Sequence, residues 1–334
     1  MPVRVGVIGV GVMGAEHARL LHREVGGSEV SAVFDVDPAR ASAVAASSGA
    51  QVWDDPMVLV KDESVDAVVV ASSDPTHEQF VLAAVAAGKP VLCEKPLAPD
   101  VAGCLRVIDA EVTVGHRLVS VGFMRRFDQG YLAIKEALVG GELGRALMLH
   151  CVHRNARNAP GLETSVLISG SAVHEIDIAR WLLEEELVAV TVHTPHRGAG
   201  ATGTQDPLFL VLESASGVLV DVEIFANAGY GYDVRCELVA DRGTVSLDTP
   251  SAIAVRVAGQ VSQGVPADWR PRFAEAYRRE LQDWVGCVRS GKSSRSASAW
   301  DGYAATQVAQ VTIEAQVSGR RHEVTLPDKP ALYR

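Results

Sequence analysis

The chain has 334 residues, of which 48% are hydrophobic and 22% charged, so it is long enough for two globular domains. Its formal net charge of −10 argues against a nucleic acid or an anionic membrane as a partner. Because the sequence contains neither an apolar run of about eighteen residues nor a charged-then-apolar leader, we expect no membrane span and no secretory signal. The five cysteines are scattered without C-x-x-C spacing, which predicts reduced thiols in a cytoplasmic protein and no metal site.

The first residues of the chain carry a dinucleotide-binding fingerprint. An apolar run, Val3 to Ile8, leads directly into Gly9-Val10-Gly11-Val12-Met13-Gly14, and a helical pattern follows. In such a motif the first glycine permits a tight turn, the second permits close approach of a pyrophosphate, and the third permits close packing of helix and strand. The N–H groups at the helix start face the phosphates. We therefore expect Gly9, Gly11, Val12, Met13 and Gly14 to contact the cofactor.

The second apolar run ends in an acid that selects the cofactor. Val30 to Phe34 is followed by Asp35, which lies about twenty residues beyond Gly14, as the fingerprint requires. A carboxylate there accepts hydrogen bonds from the ribose hydroxyls and repels a 2′-phosphate, and no Arg follows directly, so we predict NAD as the cofactor. The alternative is that Asp35 and Asp37 only cap the next helix. We assign the cap to Asp37, which leaves Asp35 for the ribose.

The remainder of the N-terminal third alternates strands with helices. Strands are predicted near Val52 and at Asp66–Ala71, Pro90–Cys93 and Leu118–Gly122, and helices at Pro38–Ser48, Glu78–Ala87 and Ala98–Glu111. This order predicts an α/β fold with a doubly wound, parallel Rossmann sheet over residues 1–122. Ligands of such sheets bind beyond the carboxyl ends of the strands. Two loops stand out at those ends, Ser72–His77 and Glu94-Lys95-Pro96.

From about Phe123 the pattern changes to that of a second domain, residues 123–334. Predicted strands are Ala146–His153, Leu187–Thr194, Leu208–Glu213, Val218–Phe225, Asp233–Ala240, Thr244–Leu247 and Ile253–Val257. Predicted helices are Tyr131–Leu138, Ala172–Leu183, Pro271–Arg289 and Ala299–Val317, the last two separated by a hinge at Ser290–Ser298. Short turns between the strands indicate an α+β domain with a large, mainly antiparallel open sheet. Because an uncovered sheet face needs a partner surface, we expect a homo-oligomer, a dimer or a tetramer.

Four motifs occur in a characteristic order, namely Gly9–Gly14, Glu94–Pro96, Gly122–Asp128 and Val173–Asp177. Together they resemble the glucose–fructose oxidoreductase and inositol dehydrogenase (Gfo/Idh/MocA) family, and within it the myo-inositol 2-dehydrogenase branch is the most similar. The resemblance spans nearly the whole chain. It implies an NAD-dependent dehydrogenase that oxidises a secondary alcohol on a cyclitol or sugar, with a small polyhydroxylated ring as substrate.

The Glu94-Lys95-Pro96 motif is the first candidate for acid–base chemistry. It follows a buried strand, so an ammonium at Lys95 can donate to a substrate oxygen and polarise it. The alternative is an ordinary surface lysine. The resemblance implies that Lys95 is catalytic, that Glu94 contacts the cofactor or Lys95, and that the bond before Pro96 is cis.

His174 is the second candidate for acid–base chemistry. It lies on a helix with apolar neighbours, so it is either a buried structural histidine or a general base that takes the hydroxyl proton. The family commonly has a carboxylate four residues earlier, where this chain has Gly170. Ser169 or Ser171 could replace that hydrogen bond but not the charge, which Asp177 could supply.

The resemblance assigns further residues to the pocket. It places Ser72, Thr76 and His77 beside the nicotinamide, and Arg125, His153, Asn155 and Tyr232 around a polyol, whose hydroxyls each need a donor or an acceptor. Tyr232 could equally be a sheet residue. The absence of a carboxylate at position 170 leaves two alternatives open. One is a dehydrogenase of an aminocyclitol, an amino sugar or an aminoglycoside-type intermediate, and the other is a non-catalytic NAD-binding regulator.

Overall fold

The computed structural model describes residues 1–159, 161–198, 201, 203–247 and 254–334. The strands in these ranges are β1 (Val3–Ile8), β2 (Ser28–Phe34), β3 (Gln51–Val52), β4 (Ala67–Val70), β5 (Val91–Glu94), β6 (Val119–Gly122), β7 (Ala146–Arg154), β8 (Leu187–His193), β9 (Leu208–Ser214), β10 (Leu219–Phe225), β11 (Asp233–Ala240), β12 (Gly243–Leu247), β13 (Ala254–Val257), β14 (Gln260–Gln263), β15 (Ala297–Ser298) and β16 (His322–Glu323). The α-helices are α1 (Val12–Arg23), α2 (Pro38–Ser48), α3 (Pro56–Lys61), α4 (His77–Ala86), α5 (Val101–Val114), α6 (Gln129–Val139), α7 (Thr164–Leu167), α8 (Val173–Leu183), α9 (Trp269–Ser290) and α10 (Ala299–Ser318). No helix of the described ranges is long and apolar enough to cross a membrane.

The chain divides into two compact units whose segments alternate along the sequence. Unit 1 comprises Met1–Phe127, Glu275–Thr306 and Leu326–Arg334, and unit 2 comprises Asp128–Ala274 and Gln307–Thr325. The domain prediction had one boundary, between residues 122 and 123, and assigned everything after it to the second domain. Contacts between residues far apart in sequence produce the alternating division, and periodicity along the chain does not reveal such contacts.

Unit 1 is built on a sheet with the strand order β15-β6-β5-β4-β1-β2-β3. All neighbours pair in parallel except β15, which is antiparallel to β6. The predicted doubly wound parallel sheet is thus confirmed. Its central strands are buried on both faces, which explains their continuous apolar runs. The carboxyl ends of β1, β4 and β5 lie at one edge, and the chain continues there into the loops that contain the predicted cofactor residues.

Two elements of unit 1 were not predicted. Helix α3 begins with the same signal that was recognised for α2, because Asp55 accepts hydrogen bonds from the N–H groups of Met57 and Val58 and Pro56 occupies the first turn. Strand β15 lies in the segment that was predicted to be a hinge. Its two residues pair with Ser120 and Val121 of β6, a partner that the local sequence does not indicate.

Unit 2 contains a sheet with the order β12-β11-β7-β10-β9-β8-β16. Among the described strands of this sheet, only β7 and β10 pair in parallel, so the prediction of a mainly antiparallel sheet is confirmed. Side chains of β9 alternate between buried and half-buried, as expected for a sheet with one covered face. The strand predicted at 253–257 begins at a residue outside the described ranges, and its described part, β13, forms a separate hairpin with β14.

Candidate functional site

The glycine-rich turn of unit 1 has the geometry of a pyrophosphate cradle. Gly9 has φ +82°, and a Cβ on Gly14 would lie 1.8 Å from the carbonyl oxygen of Gly9, so neither position tolerates a side chain. By contrast, a Cβ on Gly11 would meet no described atom within 4 Å. Helix α1 starts directly after Gly11 without a side-chain cap, so its first N–H groups remain available to an anion. These residues fit the predicted dinucleotide.

Asp35 is connected to this turn by hydrogen bonds. Its Oδ2 accepts from the Val10 N–H at 2.7 Å, and its Oδ1 accepts from the Asp37 N–H at 2.9 Å. Each carboxylate oxygen can accept a second bond, so a ribose can still be bound. The predicted cap is confirmed, because the Asp37 side chain accepts from the N–H groups at the start of α2. Arg40 lies 3.3 Å from the Asp37 carboxylate, so the nearest following cation already has an acidic neighbour.

His77 links the two loops that were predicted to lie beside the nicotinamide. Its ring, which is 1% exposed, has Nδ1 2.7 Å from the Pro96 carbonyl oxygen and Nε2 3.0 Å from the Ser72 carbonyl oxygen. Both carbonyls can be satisfied together only by a ring that carries a proton on each nitrogen. The hydroxyls of Ser72 and Thr76 are 2.7 Å apart. The Lys95–Pro96 peptide bond is cis, as the resemblance implied.

Glu94 ends β5 and Lys95 follows it directly, both in a largely buried environment. Burial alone would raise the pKa of the Glu94 carboxyl, but the hydrogen bond that it accepts from His17 holds that pKa below the usual value. Burial lowers the pKa of the Lys95 amine, and the neighbouring Glu94 carboxylate opposes this effect. A lysine in such surroundings is suited to donating a hydrogen bond and to exchanging a proton.

The turn after β6 contains two buried arginines with different surroundings. Arg125, predicted to line the polyol pocket, is 1% exposed. Arg126 lies 3.4 Å from an Asp301 carboxylate oxygen and is therefore paired with an acid.

Unit 2 brings three of its predicted site residues together. The ring centroids of His153 and His174 are 6.4 Å apart, and Tyr232 packs edge-on against His153 at 5.6 Å. His153 Nδ1 also lies 3.1 Å from an oxygen of Glu175, and both side chains are nearly fully buried. Sequence reasoning missed Glu175, because no local pattern links this helix residue to His153 on a strand. Asn155, half-buried just beyond β7, is held through its backbone, which donates to the Phe225 carbonyl.

Gly170 lies in a π-helical turn, Ile168–Ala172, that leads into α8. A Cβ there would have only Val166 within 4 Å, at 3.9 Å, so the position has room for a side chain. The Ser169 hydroxyl donates to the Ser165 carbonyl at 3.2 Å. Its hydrogen is therefore used within the helix, which weakens the suggestion that Ser169 replaces the expected carboxylate.

The described residues contain no group of three or more His, Cys, Asp or Glu side chains arranged to hold a metal ion.

Comparison with known proteins shows similarity along the whole chain. Residues 3–123 match the model of an oxidoreductase family with an NAD-binding Rossmann fold, and residues 131–246 match the GFO/IDH/MocA C-terminal domain. Inositol 2-dehydrogenase 2 of Saccharopolyspora erythraea is 54% identical over 335 residues, which cover 100% of this chain and 98% of that protein. Inositol 2-dehydrogenase of Pseudomonas fluorescens is 45% identical over 336 residues, which cover 100% of each.

A solved structure shows the same similarity in three dimensions. The crystal structure of myo-inositol dehydrogenase from Lactobacillus casei, in complex with NAD(H) and myo-inositol, matches with a TM-score of 0.97 and 33% sequence identity. The match covers 100% of both chains.

Proposed function

Since this chain belongs to the Gfo/Idh/MocA oxidoreductase family and is an NAD-dependent dehydrogenase, we propose that it oxidises a secondary alcohol of an inositol ring, with myo-inositol as the first candidate. The observation that carries this proposal is the full-length similarity to relatives named inositol 2-dehydrogenase. The aminocyclitol and non-catalytic alternatives are not favoured by these relatives.

The proposed chemistry moves one hydride and one proton. NAD held by the Gly9–Gly14 turn and Asp35 would supply the acceptor for the hydride of the carbinol carbon. We assign the proton of the substrate hydroxyl to His174, whose imidazole can accept it near neutral pH. We assign the polarising hydrogen bond to Lys95, whose ammonium stabilises negative charge on the oxygen as the carbonyl forms. The product is the corresponding ketone.

The binding roles follow the chemistry of each side chain. In unit 1 we propose that the Gly9–Gly14 turn holds the pyrophosphate, that Asp35 binds the ribose hydroxyls, and that the Ser72–His77 loop with Glu94 borders the nicotinamide. We propose Arg125, His153, Asn155 and Tyr232, each by the chemistry of its side chain, as ligands of ring hydroxyls. The buried His153–Glu175 pair gives that set an ordered donor and acceptor arrangement.

The test is NADH formation measured by absorbance with a panel of polyols. The panel contains myo-inositol, other inositol isomers, an aminocyclitol and aldose sugars, each with NAD and with NADP. We expect the highest kcat/KM with an inositol and NAD. Turnover of the aminocyclitol alone would select the first alternative, and tight NAD binding without turnover of any polyol would select the regulator.

We also propose that the protein is a cytoplasmic homo-oligomer. The outer face of the unit 2 sheet carries apolar side chains that remain accessible, including Met148 and Leu219, which are 38% and 45% exposed. The five cysteines of the chain are free thiols, as a reducing compartment would maintain them. Light scattering after gel filtration should give a mass two or four times 35.4 kDa, and cell fractionation should place the protein in the cytosol. A single-chain mass would contradict the oligomer.

The two glycines of the cradle should respond differently to a methyl group. Gly14→Ala forces the backbone apart at the Gly9 carbonyl and should lower the free energy of unfolding by about 3 kcal/mol. Gly11→Ala has room in the protein itself and should keep the melting temperature, yet weaken NAD binding where the pyrophosphate approaches. Thermal unfolding with and without NAD distinguishes these effects. Equal losses of stability in both variants would contradict the proposed geometry.

A carboxylate at position 170 should improve the use of myo-inositol. Gly170→Asp restores the acid that the family commonly has, and a charge-assisted hydrogen bond is worth about 1.5–3 kcal/mol, which corresponds to a tenfold or larger gain in kcat/KM. Gly170→Asn is the matched control, because it offers a similar shape without the charge. If wild type is already efficient and Gly170→Asp brings no gain, another group such as Asp177 supplies the missing interaction.

A further inference from the structure

Glu94, the residue before Lys95, is joined to the dinucleotide-binding helix by a buried histidine. His17 lies on α1, less than one turn after Gly14, and its side chain is 0% exposed. Its Nε2 is 2.7 Å from Glu94 Oε1, so Nε2 donates to the carboxylate. Its buried Nδ1 has no hydrogen-bond partner among the described residues, as expected of a ring that carries its proton on Nε2.

The Glu94 carboxyl is confined as well as hydrogen-bonded. A Cβ on Gly122, at the end of the neighbouring strand β6, would lie 3.2 Å from Glu94 Cδ. Gly122 therefore leaves room for the carboxyl on one side, while His17 contacts it on the other. Because the Glu94 carboxyl has little room to rotate, its orientation depends on the hydrogen bond that His17 donates to it.

We propose that His17 is a positioning residue that keeps the Glu94 carboxyl ionised and correctly aimed beside Lys95, and so links the dinucleotide-binding helix to the turn that carries out the chemistry. The inference rests on the proposed function, in which Lys95 donates to the substrate oxygen. Neither His17 nor this link was among the predicted site residues.

The charges around both groups agree with this role. At Glu94, burial raises the carboxyl pKa, and His17, followed by Lys95 and His77, lowers it. At Lys95, burial lowers the amine pKa, Glu94 and Asp74 raise it, and Arg125 lowers it. His17 is thus the principal group that opposes the effect of burial on the pKa of Glu94. Glu94 in turn is the principal group that opposes the effect of burial on the pKa of Lys95.

Two substitutions separate the hydrogen bond from the packing. His17→Leu keeps a comparable volume without a donor, and His17→Gln retains an N–H of similar reach. Infrared spectroscopy follows the protonated carboxyl band of Glu94, which is identified by its loss in Glu94→Gln. We expect Glu94 to take up its proton about one pH unit higher in His17→Leu than in wild type. In His17→Gln the shift should be smaller.

The kinetic readout should follow the same titration. In His17→Leu the acid limb of the plot of kcat against pH should shift to higher pH, by the same amount as the titration of the Glu94 band. A variant that only loses stability would keep the same pH dependence, and its activity would fall by the same factor at every pH. An unchanged Glu94 titration in His17→Leu would overturn the inference. So would a protonated Glu94 at neutral pH in wild type, a measurement that requires no folded His17 variant.

Failure of the proposed function is distinguishable from failure of this inference. If wild type forms no NADH with any inositol, the proposed function fails, while the infrared titration of Glu94 still tests the link. If wild type is active and the titration is unchanged in His17→Leu, only the link fails. Dissociation constants for NADH, measured by fluorescence, complete the comparison. A loss of affinity in His17→Leu but not in His17→Gln is expected if α1 and the Glu94 turn are coupled.

Discussion

Replacing Lys95 with alanine should lower kcat several hundredfold and leave the affinity for NADH nearly unchanged. The expected loss corresponds to about 3–4 kcal/mol of transition-state stabilisation, the amount typical of one preorganised donor at a developing oxyanion. Lys95 lies at the carboxyl end of β5 beside Glu94, in surroundings whose burial lowers the pKa of the amine. A water molecule in its place would provide neither the charge nor the fixed direction.

The measurement is kcat and KM with an inositol, together with an NADH titration by fluorescence. Lys61→Ala, at the exposed end of α3, is the matched control and should behave as wild type. Lys95→Met keeps much of the apolar stem and separates the loss of charge from the loss of packing. Retention of more than a tenth of wild-type kcat in Lys95→Ala would show that another group polarises the oxygen.

The natural enzyme should prefer NAD to NADP by several hundredfold in kcat/KM. A 2′-phosphate would bring a negative charge close to the Asp35 carboxylate, and two unit charges ~4 Å apart repel by about 4 kcal/mol at an effective dielectric near 20. Arg40, the next cation in the sequence, already lies beside Asp37. This part of α2 therefore provides no positive charge that would neutralise a 2′-phosphate on the ribose.

Asp35→Ser should reduce this preference, but the structure adds a cost that the sequence alone does not indicate. The Asp35 carboxylate also accepts hydrogen bonds from the N–H groups of Val10 and Asp37, so removing the carboxylate loosens the glycine-rich turn. We therefore expect weaker binding of both cofactors with a smaller ratio between them. The quantity to compare is the ratio of kcat/KM values for NAD and NADP. A ratio near one in the wild-type enzyme would remove Asp35 as the selector.

The fold of unit 1 was predictable because its signals are local. Buried parallel strands appear as continuous β-branched runs, so β1, β2 and β4 were recognised within a few residues of their observed bounds. The glycine-rich turn was equally clear, because Gly9 and Gly14 occupy positions where a Cβ would collide with backbone. The short turns between the predicted strands are also local signals, and they revealed the mainly antiparallel sheet of unit 2.

The contacts that complete each unit were not predictable. β15 is only two residues long and depends on β6, which lies far away in sequence, so no local pattern marks it. Glu175 was passed over because its contact with His153 joins residues on a helix and a strand. His17 looked like an ordinary helix residue until the fold brought it to Glu94.

The sequence by itself determined the family, most of the strands and helices and the dinucleotide cofactor, and it predicts acid–base roles for Lys95 and His174, because each of these depends on short motifs whose backbone requirements are local. Only the tertiary structure decided which polar groups contact each other. His17 with Glu94, His153 with Glu175, and Asp35 with the glycine-rich turn are pairs separated by 77, 22 and 25 positions along the chain. Their energies depend on burial and on distances of about 3 Å, and the packing of the folded chain sets both.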